Sequence, residues 1–160
     1  MKTIASTSRT MINGAFLQEV KDANVELWHA LHDMRRLINE PGEALSASKE
    51  LVSLLGRLRD LLARQFSLEE TYGYIDLGRS VPTVVSERSA LARAQHQELY
   101  LRIHELCEQA EEAQYRGTAQ RELSDLLKLA AEFDECLRAH EELESELISG
   151  YGSMPASSAR

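Results

Sequence analysis

The sequence predicts an all-α protein, an antiparallel four-helix bundle of up-down-up-down topology. Its 160 residues include only 8 Gly and 3 Pro, so long stretches are free of residues that interrupt helices. Apolar residues recur at spacings of three and four, which places them on one face of a helix. Four such periodic segments are separated by short stretches, and short connections favour antiparallel neighbours.

The first two predicted helices are separated by Pro41 and Gly42. The first follows Gly14 and has the sequence AFLQEVKDANVELWHALHDMRRLINE. The second runs from about residue 46 to residue 75. The sequence DLGRSVPT then predicts a loop, because the residue before Pro82 is biased away from helical backbone angles.

The third and fourth predicted helices are separated by Gly117. The third runs from about Thr83 to Tyr115. Thr118 is placed to cap the fourth, which extends to Ser149 and is followed by Gly150. We therefore expect a flexible polar leader over residues 1–14, one bundle domain over 15–149 and a flexible tail over 150–160.

Each predicted helix has a seam of residues that face its neighbours, and each seam includes polar exceptions. The predicted seams are Leu17, Val20, Asn24, Leu27, Leu31, Met34 and Ile38 in the first helix; Leu51, Leu55, Leu58, Leu62, Gln65, Glu69 and Tyr72 in the second; Ala92, His96, Leu99, Ile103, Leu106 and Ala110 in the third; and Leu123, Leu126, Ala130, Phe133, Leu137, His140, Glu144 and Leu147 in the fourth.

The polar exceptions fall at similar heights in the predicted bundle. Asn24, Gln65, His96 and His140 lie roughly 15 to 20 Å from one end, at a rise of about 1.5 Å per residue. Two glutamates, Glu69 and Glu144, lie one turn nearer that end. Burying such groups without partners is costly. Either a cation or a network of hydrogen bonds must therefore compensate them.

The metal interpretation uses side chains that commonly bind metals inside helical bundles. The candidate ligands are Glu69, His96, His140 and Glu144. In the alternative interpretation, protonated Glu, amides and His satisfy one another without a metal.

Three further side chains are weaker candidates on chemical or geometric grounds. Gln65 and Asn24 are candidates for additional ligands or for members of the hydrogen-bonded network, because an amide oxygen is a weak ligand. His32 is a further candidate ligand, although it lies about 120° from the centre of its seam on a helical wheel. His29 and His104 lie outside their seams, so we expect them at the periphery.

Two short stretches of the sequence, on the second and fourth predicted helices, resemble motifs of the hemerythrin-like (HHE) domains. QFSLEE, residues 65–70, is similar to the family pattern His-Phe-x-x-Glu-Glu. Gln65 replaces the ligand His, and Glu69 matches the bridging glutamate of the family. HEELE is similar to the fourth-helix pattern, in which a carboxylate follows a His by four or five residues. The resemblance gives His140 and Glu144 these two roles.

The resemblance extends to the other two helices and covers about residues 15–149. His96 matches the third-helix ligand, with Ala92 at the optional second position, and NVELWHAL places Asn24 where the first-helix His belongs. The resemblance implies a four-helix bundle that holds iron. Because amides replace two of the ligand histidines here, the resemblance implies a site with fewer ligands that holds a single metal ion. Two imidazoles and two carboxylates also suit zinc or manganese, and the metal-free alternative remains open.

Composition and motifs exclude several other functions. A net charge of -8 argues against nucleic acid and against anionic membranes as partners. There is no apolar run of roughly 20 residues and no secretory signal, so we expect a cytoplasmic protein. Cys107 and Cys136 lack metal-ligand spacing. No phosphate-binding loop, nucleophile elbow or zincin motif is present, and we expect no enzymatic activity.

Two functions remain after these exclusions. The first is a hemerythrin-like metal-binding protein with a role in sensing or storing iron, or in responding to oxygen or nitric oxide. The second is a metal-free descendant whose bundle serves as a scaffold for protein–protein interaction or for a homodimer.

Overall fold

The computed structural model describes residues 9–77 and 82–152, and these residues are mostly helical, which confirms the all-α class. The helices are α1 (Gly14–Ala23), α2 (Val25–Asn39), α3 (Ala44–Leu68), α4 (Thr83–Tyr115) and α5 (Leu123–Gly152). A π-helical turn (Glu69–Gly73) continues α3, and the strands are β1 (Arg9–Ile12) and β2 (Tyr74–Leu77). Within these ranges, no helix has an apolar stretch long enough to cross a bilayer.

The helices pack side by side around a core of leucine and other apolar residues. Helix α2 contacts α3, α3 contacts α4, α4 contacts α5, and both α1 and α2 contact α5. Lys21 pairs with Glu141, whereas Arg35, later in the chain, pairs with the earlier Asp134. This reversed order shows that α1 and α2 run antiparallel to α5.

The first predicted helix is interrupted at Asn24, so the expectation of one continuous helix is wrong there. Asn24 has φ −91° and ψ 62°, outside the helical region, and its Oδ1 accepts a hydrogen bond of 3.3 Å from the backbone N–H of Leu27. Asparagine is a preferred N-cap because its side chain satisfies a free N–H of the first turn. Asn24 therefore ends α1 and begins α2.

The second predicted helix also ends early, because its last turn is π-helical and leads into β2. A π turn takes an additional residue, which rotates the following side chains around the helix axis. Tyr72, predicted in the seam, is consequently exposed, while Gly73 and Tyr74 are buried. A Cβ atom on Gly73 would lie 2.4 Å from Cδ2 of Leu17, so glycine allows α1 to pack closely here.

The two strands join the predicted leader to the segment after α3. Strand β1 pairs antiparallel with β2, with Arg9 opposite Leu77 and Ile12 opposite Tyr74. Residues 9–12 of the predicted flexible leader therefore form a strand, while residues 1–8 lie outside the described residues, as do 78–81 of the predicted loop.

The ends of the last helix also differ from the predictions. Helix α5 begins at Leu123, after a turn that contains Thr118, and continues beyond the predicted C-cap Gly150 to Gly152. The described residues therefore include the first three of the predicted flexible tail, and residues 153–160 lie outside them.

Candidate metal centre

Four side chains that the sequence selected as metal ligands lie together in the core. Glu69 comes from the π turn, His96 from α4, and His140 and Glu144 from successive turns of α5. Each offers one ligand atom, and these atoms lie within 4.8 Å of one another. All four residues are at most 2% exposed. The cluster can hold a metal ion.

The contacts among these side chains are close but are not aligned as hydrogen bonds. Nε2 of His140 lies 2.7 Å from Oε1 of Glu144, and Nε2 of His96 lies 3.1 Å from Oε2 of Glu69. Among the described residues, both Nε2 atoms and Oε2 of Glu69 are nevertheless buried without a hydrogen-bond partner. Unpaired buried polar atoms are rare and call for an explanation. Atoms directed toward a shared cation provide one.

The size of the cluster also fits a small divalent ion. Ligand nitrogen and oxygen atoms lie about 2.0 to 2.2 Å from such an ion, so two ligands on opposite sides are about 4 to 4.4 Å apart. The largest separation here is within 4.8 Å. Side-chain adjustments of a few tenths of an ångström would therefore bring the four atoms to ligand distances.

Neighbouring side chains fix the orientation of both imidazole rings. Nδ1 of His140 lies 2.8 Å from Oε1 of Gln95. Because this oxygen accepts, Nδ1 of His140 carries a proton, and Nε2 is the ring nitrogen directed toward Glu144. Phe66 stacks on His96 at a centroid distance of 4.3 Å and an angle of 11°, and Nδ1 of His96 lies 3.4 Å from Oε1 of Glu70. Metal-binding histidines are commonly held through the second ring nitrogen, as His140 is here, whereas the contact of His96 with Glu70 does not meet hydrogen-bond geometry.

The predicted seam of the first helix passed through Val20, but the structure buries Lys21 instead. Nζ of Lys21, a residue only 5% exposed, lies 2.6 Å from Oε2 of Glu141, 3.1 Å from Oε1 of Glu144 and 3.7 Å from Oε1 of Glu69. Although burial alone lowers the pKa of an ammonium group, these three carboxyl groups hold the pKa of Lys21 above its usual value. Lys21 therefore brings a positive charge to the cluster.

The two amides predicted at this level form a chain of hydrogen bonds that ends at Glu69. Nδ2 of Asn24 donates to Oε1 of Gln65 at 2.8 Å, and Nε2 of Gln65 donates to Oε1 of Glu69 at 3.0 Å. Asn24 also caps α2, so both of its polar atoms are engaged. In this structure, the amides belong to the hydrogen-bonded network that holds Glu69.

Tyr74, which the sequence did not single out, holds the second acid. Its hydroxyl donates to Oε2 of Glu144 at 3.0 Å. Burial and the nearby Glu144 carboxylate raise the pKa of Tyr74, so the hydroxyl keeps its proton and remains a donor. The position of Tyr74 depends on the π turn, which no local sequence pattern signals.

The two acids differ in protonation at neutral pH. Burial, together with the neighbouring Glu144 carboxylate, raises the pKa of Glu69 to about 8. Burial also opposes the ionisation of Glu144, but His140 and Lys21 outweigh it and lower the pKa of Glu144 to about 2. Burial and the proximity of His140 lower the pKa of His96 to about 4, so its imidazole is neutral. A neutral imidazole and an ionised carboxylate are the forms that bind metals.

The remaining histidines lie away from the cluster. The side chain of His32 is 79% exposed and lies beside Asp33 on α2, so this weaker candidate is not part of the site. His29 is also exposed, and His104 is half-buried on α4, 3.2 Å from Glu108.

An open cleft leads from the surface toward the cluster. It has a volume of about 630 Å³ and lies between the junction of α1 and α2 and the end of α3. Apolar side chains such as Phe16, Val20 and Leu61 line it, together with Asn24 and Gln65. The cleft therefore reaches the amide that holds Glu69.

Comparison of the chain with protein-family models, with curated proteins and with solved structures finds no match. The geometry of the cluster is therefore what bears on function. It joins two imidazoles to two acids in a buried site.

Proposed function

We propose that this protein binds one divalent metal ion, preferably iron, inside a hemerythrin-like four-helix bundle, with Glu69, His96, His140 and Glu144 as ligands. The observation that carries the proposal is the convergence of four ligand atoms within 4.8 Å. Among the described residues, four polar atoms of this cluster lack hydrogen-bond partners, and three of them, Nε2 of both histidines and Oε2 of Glu69, belong to the contacts between the proposed ligands. A bound cation would provide the partner that these three atoms lack.

The helix contacts support the bundle assignment. The segment α1–α2 packs against α3 and α5, and α4 packs against the same two helices, which is the neighbour pattern of an up-down-up-down bundle. The motifs QFSLEE and HEELE supply the acids and one imidazole, as the family pattern would require. These are the grounds for a hemerythrin-like relationship.

The donor set favours a metal of intermediate character. Two imidazoles and two carboxylates suit ferrous iron, zinc or manganese. Iron is preferred because of the family resemblance. Iron accepts up to six ligands, so with four protein ligands it would keep open coordination positions. The proposed role is therefore to sense or store iron, or to respond to oxygen or nitric oxide, in the cytoplasm and without catalytic turnover.

Metal-dependent stability tests this proposal. The protein would be purified without chelator, its metal content measured, and its melting temperature compared with Fe(II) under anaerobic conditions and with a strong chelator. A ligand at 100 times its Kd stabilises the folded state by about 2.7 kcal/mol. For a protein of this size, this corresponds to a rise of roughly 5 to 11 °C.

Histidine variants assign the effect to the cluster. His96→Ala and His140→Ala are expected to remove the difference between the metal-loaded and chelated melting temperatures. His29→Ala and His32→Ala are matched controls, because both residues are exposed on α2, and they should retain the difference. A native protein that contains no metal and melts at the same temperature with and without metal would refute the proposal.

A second candidate function is a metal-free scaffold for protein–protein interaction or dimerisation. The ammonium of Lys21, the hydroxyl of Tyr74 and the amide of Gln65 favour it, because they already partner the acids. On this alternative, metal and chelator have no effect on stability. Light scattering of the purified protein would then determine whether the chain forms dimers.

A further inference from the structure

The position of Lys21 bears on how a metal could bind. Its ammonium lies 3.1 Å from Oε1 of Glu144 and 3.7 Å from Oε1 of Glu69, the two acids among the proposed ligands. Oε1 of Glu144 is also the oxygen that lies 2.7 Å from Nε2 of His140. The lysine therefore contacts the acidic side of the cluster, and its charge would repel an ion bound by the same oxygens.

A third carboxylate lies beside the lysine without belonging to the ligand set. Nζ of Lys21 lies 2.6 Å from Oε2 of Glu141, the shortest of its three carboxylate contacts. Glu141 is half-buried, and it precedes Glu144 by almost one turn of α5. If the ammonium withdrew from Glu144 and Glu69, it would remain paired with Glu141.

Hydrogen bonds hold the backbone of Lys21, whereas its side chain can rotate between these carboxylate partners. Its carbonyl oxygen accepts hydrogen bonds from Nε1 of Trp28 at 2.9 Å and from the N–H of Asn24 at 3.3 Å. The long lysine stem has several rotatable bonds. A shift of the ammonium between carboxylates therefore requires no movement of α1.

We propose that Lys21 is a tethered cation that neutralises the cluster in the metal-free protein, and that a divalent metal ion binds by displacing its ammonium from Glu144 and Glu69 onto Glu141. The inference depends on the proposed metal-binding function. It explains how acids that are ligands can stay buried without a metal. It also means that an ion must compete with an internal charge, which lowers its apparent affinity.

Titration with Co(II), followed by calorimetry and by visible absorption, tests the proposal. Lys21→Met keeps much of the length of the side chain and removes its charge, and we expect Co(II) to bind about 10 to 100 times more tightly. The metal-free variant should melt at a lower temperature, because Glu144 loses its counter-charge. Lys49→Met is the matched control, since Lys49 is exposed on α3, and its affinity should equal that of the native protein.

Glu141→Gln provides the opposite perturbation. Without this carboxylate, the ammonium stays on Glu144, and Co(II) should bind more weakly than to the native protein. In the double variant Lys21→Met/Glu141→Gln, the effect of the glutamine should largely vanish, because no ammonium needs a second partner. A purely electrostatic effect of Glu141 on the ion would weaken binding equally in both backgrounds, so the double-mutant cycle separates the two explanations.

The outcomes also separate this inference from the proposed function. If the native protein binds Co(II) and Lys21→Met binds it no more tightly, the tethered-cation proposal is wrong. The proposed metal site is then still supported. Absence of Co(II) binding in both proteins overturns both proposals. If Lys21→Met does not fold without metal, the Glu141→Gln protein decides the question, and an unchanged affinity there overturns the displacement onto Glu141.

Discussion

Gly73→Ala tests the contact through which α1 is positioned beside the cluster. The added Cβ would lie 2.4 Å from Cδ2 and 3.1 Å from Cγ of Leu17. Leu17 is 0% exposed and belongs to a buried apolar cluster with Ile12, Tyr74, Ala92 and Leu147, so its side chain has little room to move aside. Overpacking of a well-packed core typically destabilises a protein by about 1 to 3 kcal/mol. We expect the melting temperature to fall by roughly 2 to 12 °C.

Gly56→Ala is the matched control for the same chemical change. Gly56 lies within α3, and a Cβ atom there would meet nothing within 4 Å. Alanine in a helix interior is more favourable than glycine by about 0.5 to 1 kcal/mol. This variant should therefore melt at or above the native temperature, and the two substitutions should have opposite effects.

Thermal and urea denaturation, monitored by circular dichroism with chelator present, would measure both variants. The chelator removes any contribution of bound metal to stability. A Gly73→Ala protein as stable as the native protein would mean that Leu17 does not pack against the π turn. The inferred position of α1, and of Lys21 one turn further along it, would then be wrong.

Three further predictions concern the network, proton release and the buried thiol. Asn24→Ala should lower the free energy of unfolding by about 1 to 3 kcal/mol in urea denaturation, because it removes the cap of α2 and the hydrogen bond to Gln65. Asn24→Ser should lower the free energy of unfolding by less. Equal losses in the two variants would contradict the capping role. Since Glu69 has a pKa of about 8, it is protonated at pH 7 and must lose its proton to bind a metal. The apparent affinity for Co(II) should therefore rise up to about pH 8 and then level off. Calorimetry in two buffers should detect the release of roughly one proton per bound ion at pH 7. An affinity for Co(II) that does not change with pH would contradict this prediction. Burial raises the pKa of Cys107 to about 11, so at pH 8 a thiol reagent should modify it only after unfolding, and rapid modification of the native protein would show that it is accessible.

The sequence was sufficient to predict which side chains of the cluster meet. His96, His140 and Glu144 follow the spacings of three and four that mark a buried helix face, and a constant rise per residue places the two histidines at one height and Glu144 one turn away. Glu69 was placed correctly as well, although the helix changes to a π turn at this residue. The helical class and the level of the cluster were therefore predictable from local periodicity.

Lys21 could not be identified in the same way, because its burial depends on distant residues. A lysine on an amphipathic helix usually extends its charge into water. Here Glu141 and Glu144, from the last helix, make burial possible. One signal was present, since Leu17, Lys21 and Asn24 also follow spacings of four and three, but Val20 is the apolar choice at that turn.

The helix break at Asn24 and the β1–β2 pair were missed for different reasons. Asn24 was identified by its height, but its capping role depends on backbone geometry at one residue. The register of β1 against β2 depends on contacts between segments 66 residues apart, as in the hydrogen bond from Thr10 to Asp76. A four-residue strand has too few side chains for its alternation to be recognised.

The contact between Lys21 and Glu144 joins segments 123 residues apart in the chain. Closing so long a loop requires a large entropy loss, and such contacts tend to form late in folding. The polar centre is therefore completed only when the first and last helices have come together. If a metal ion displaced Lys21 from Glu144, α1 would lose one of its contacts with α5, and the hydrogen-exchange rates of the α1 backbone amides would measure that loss.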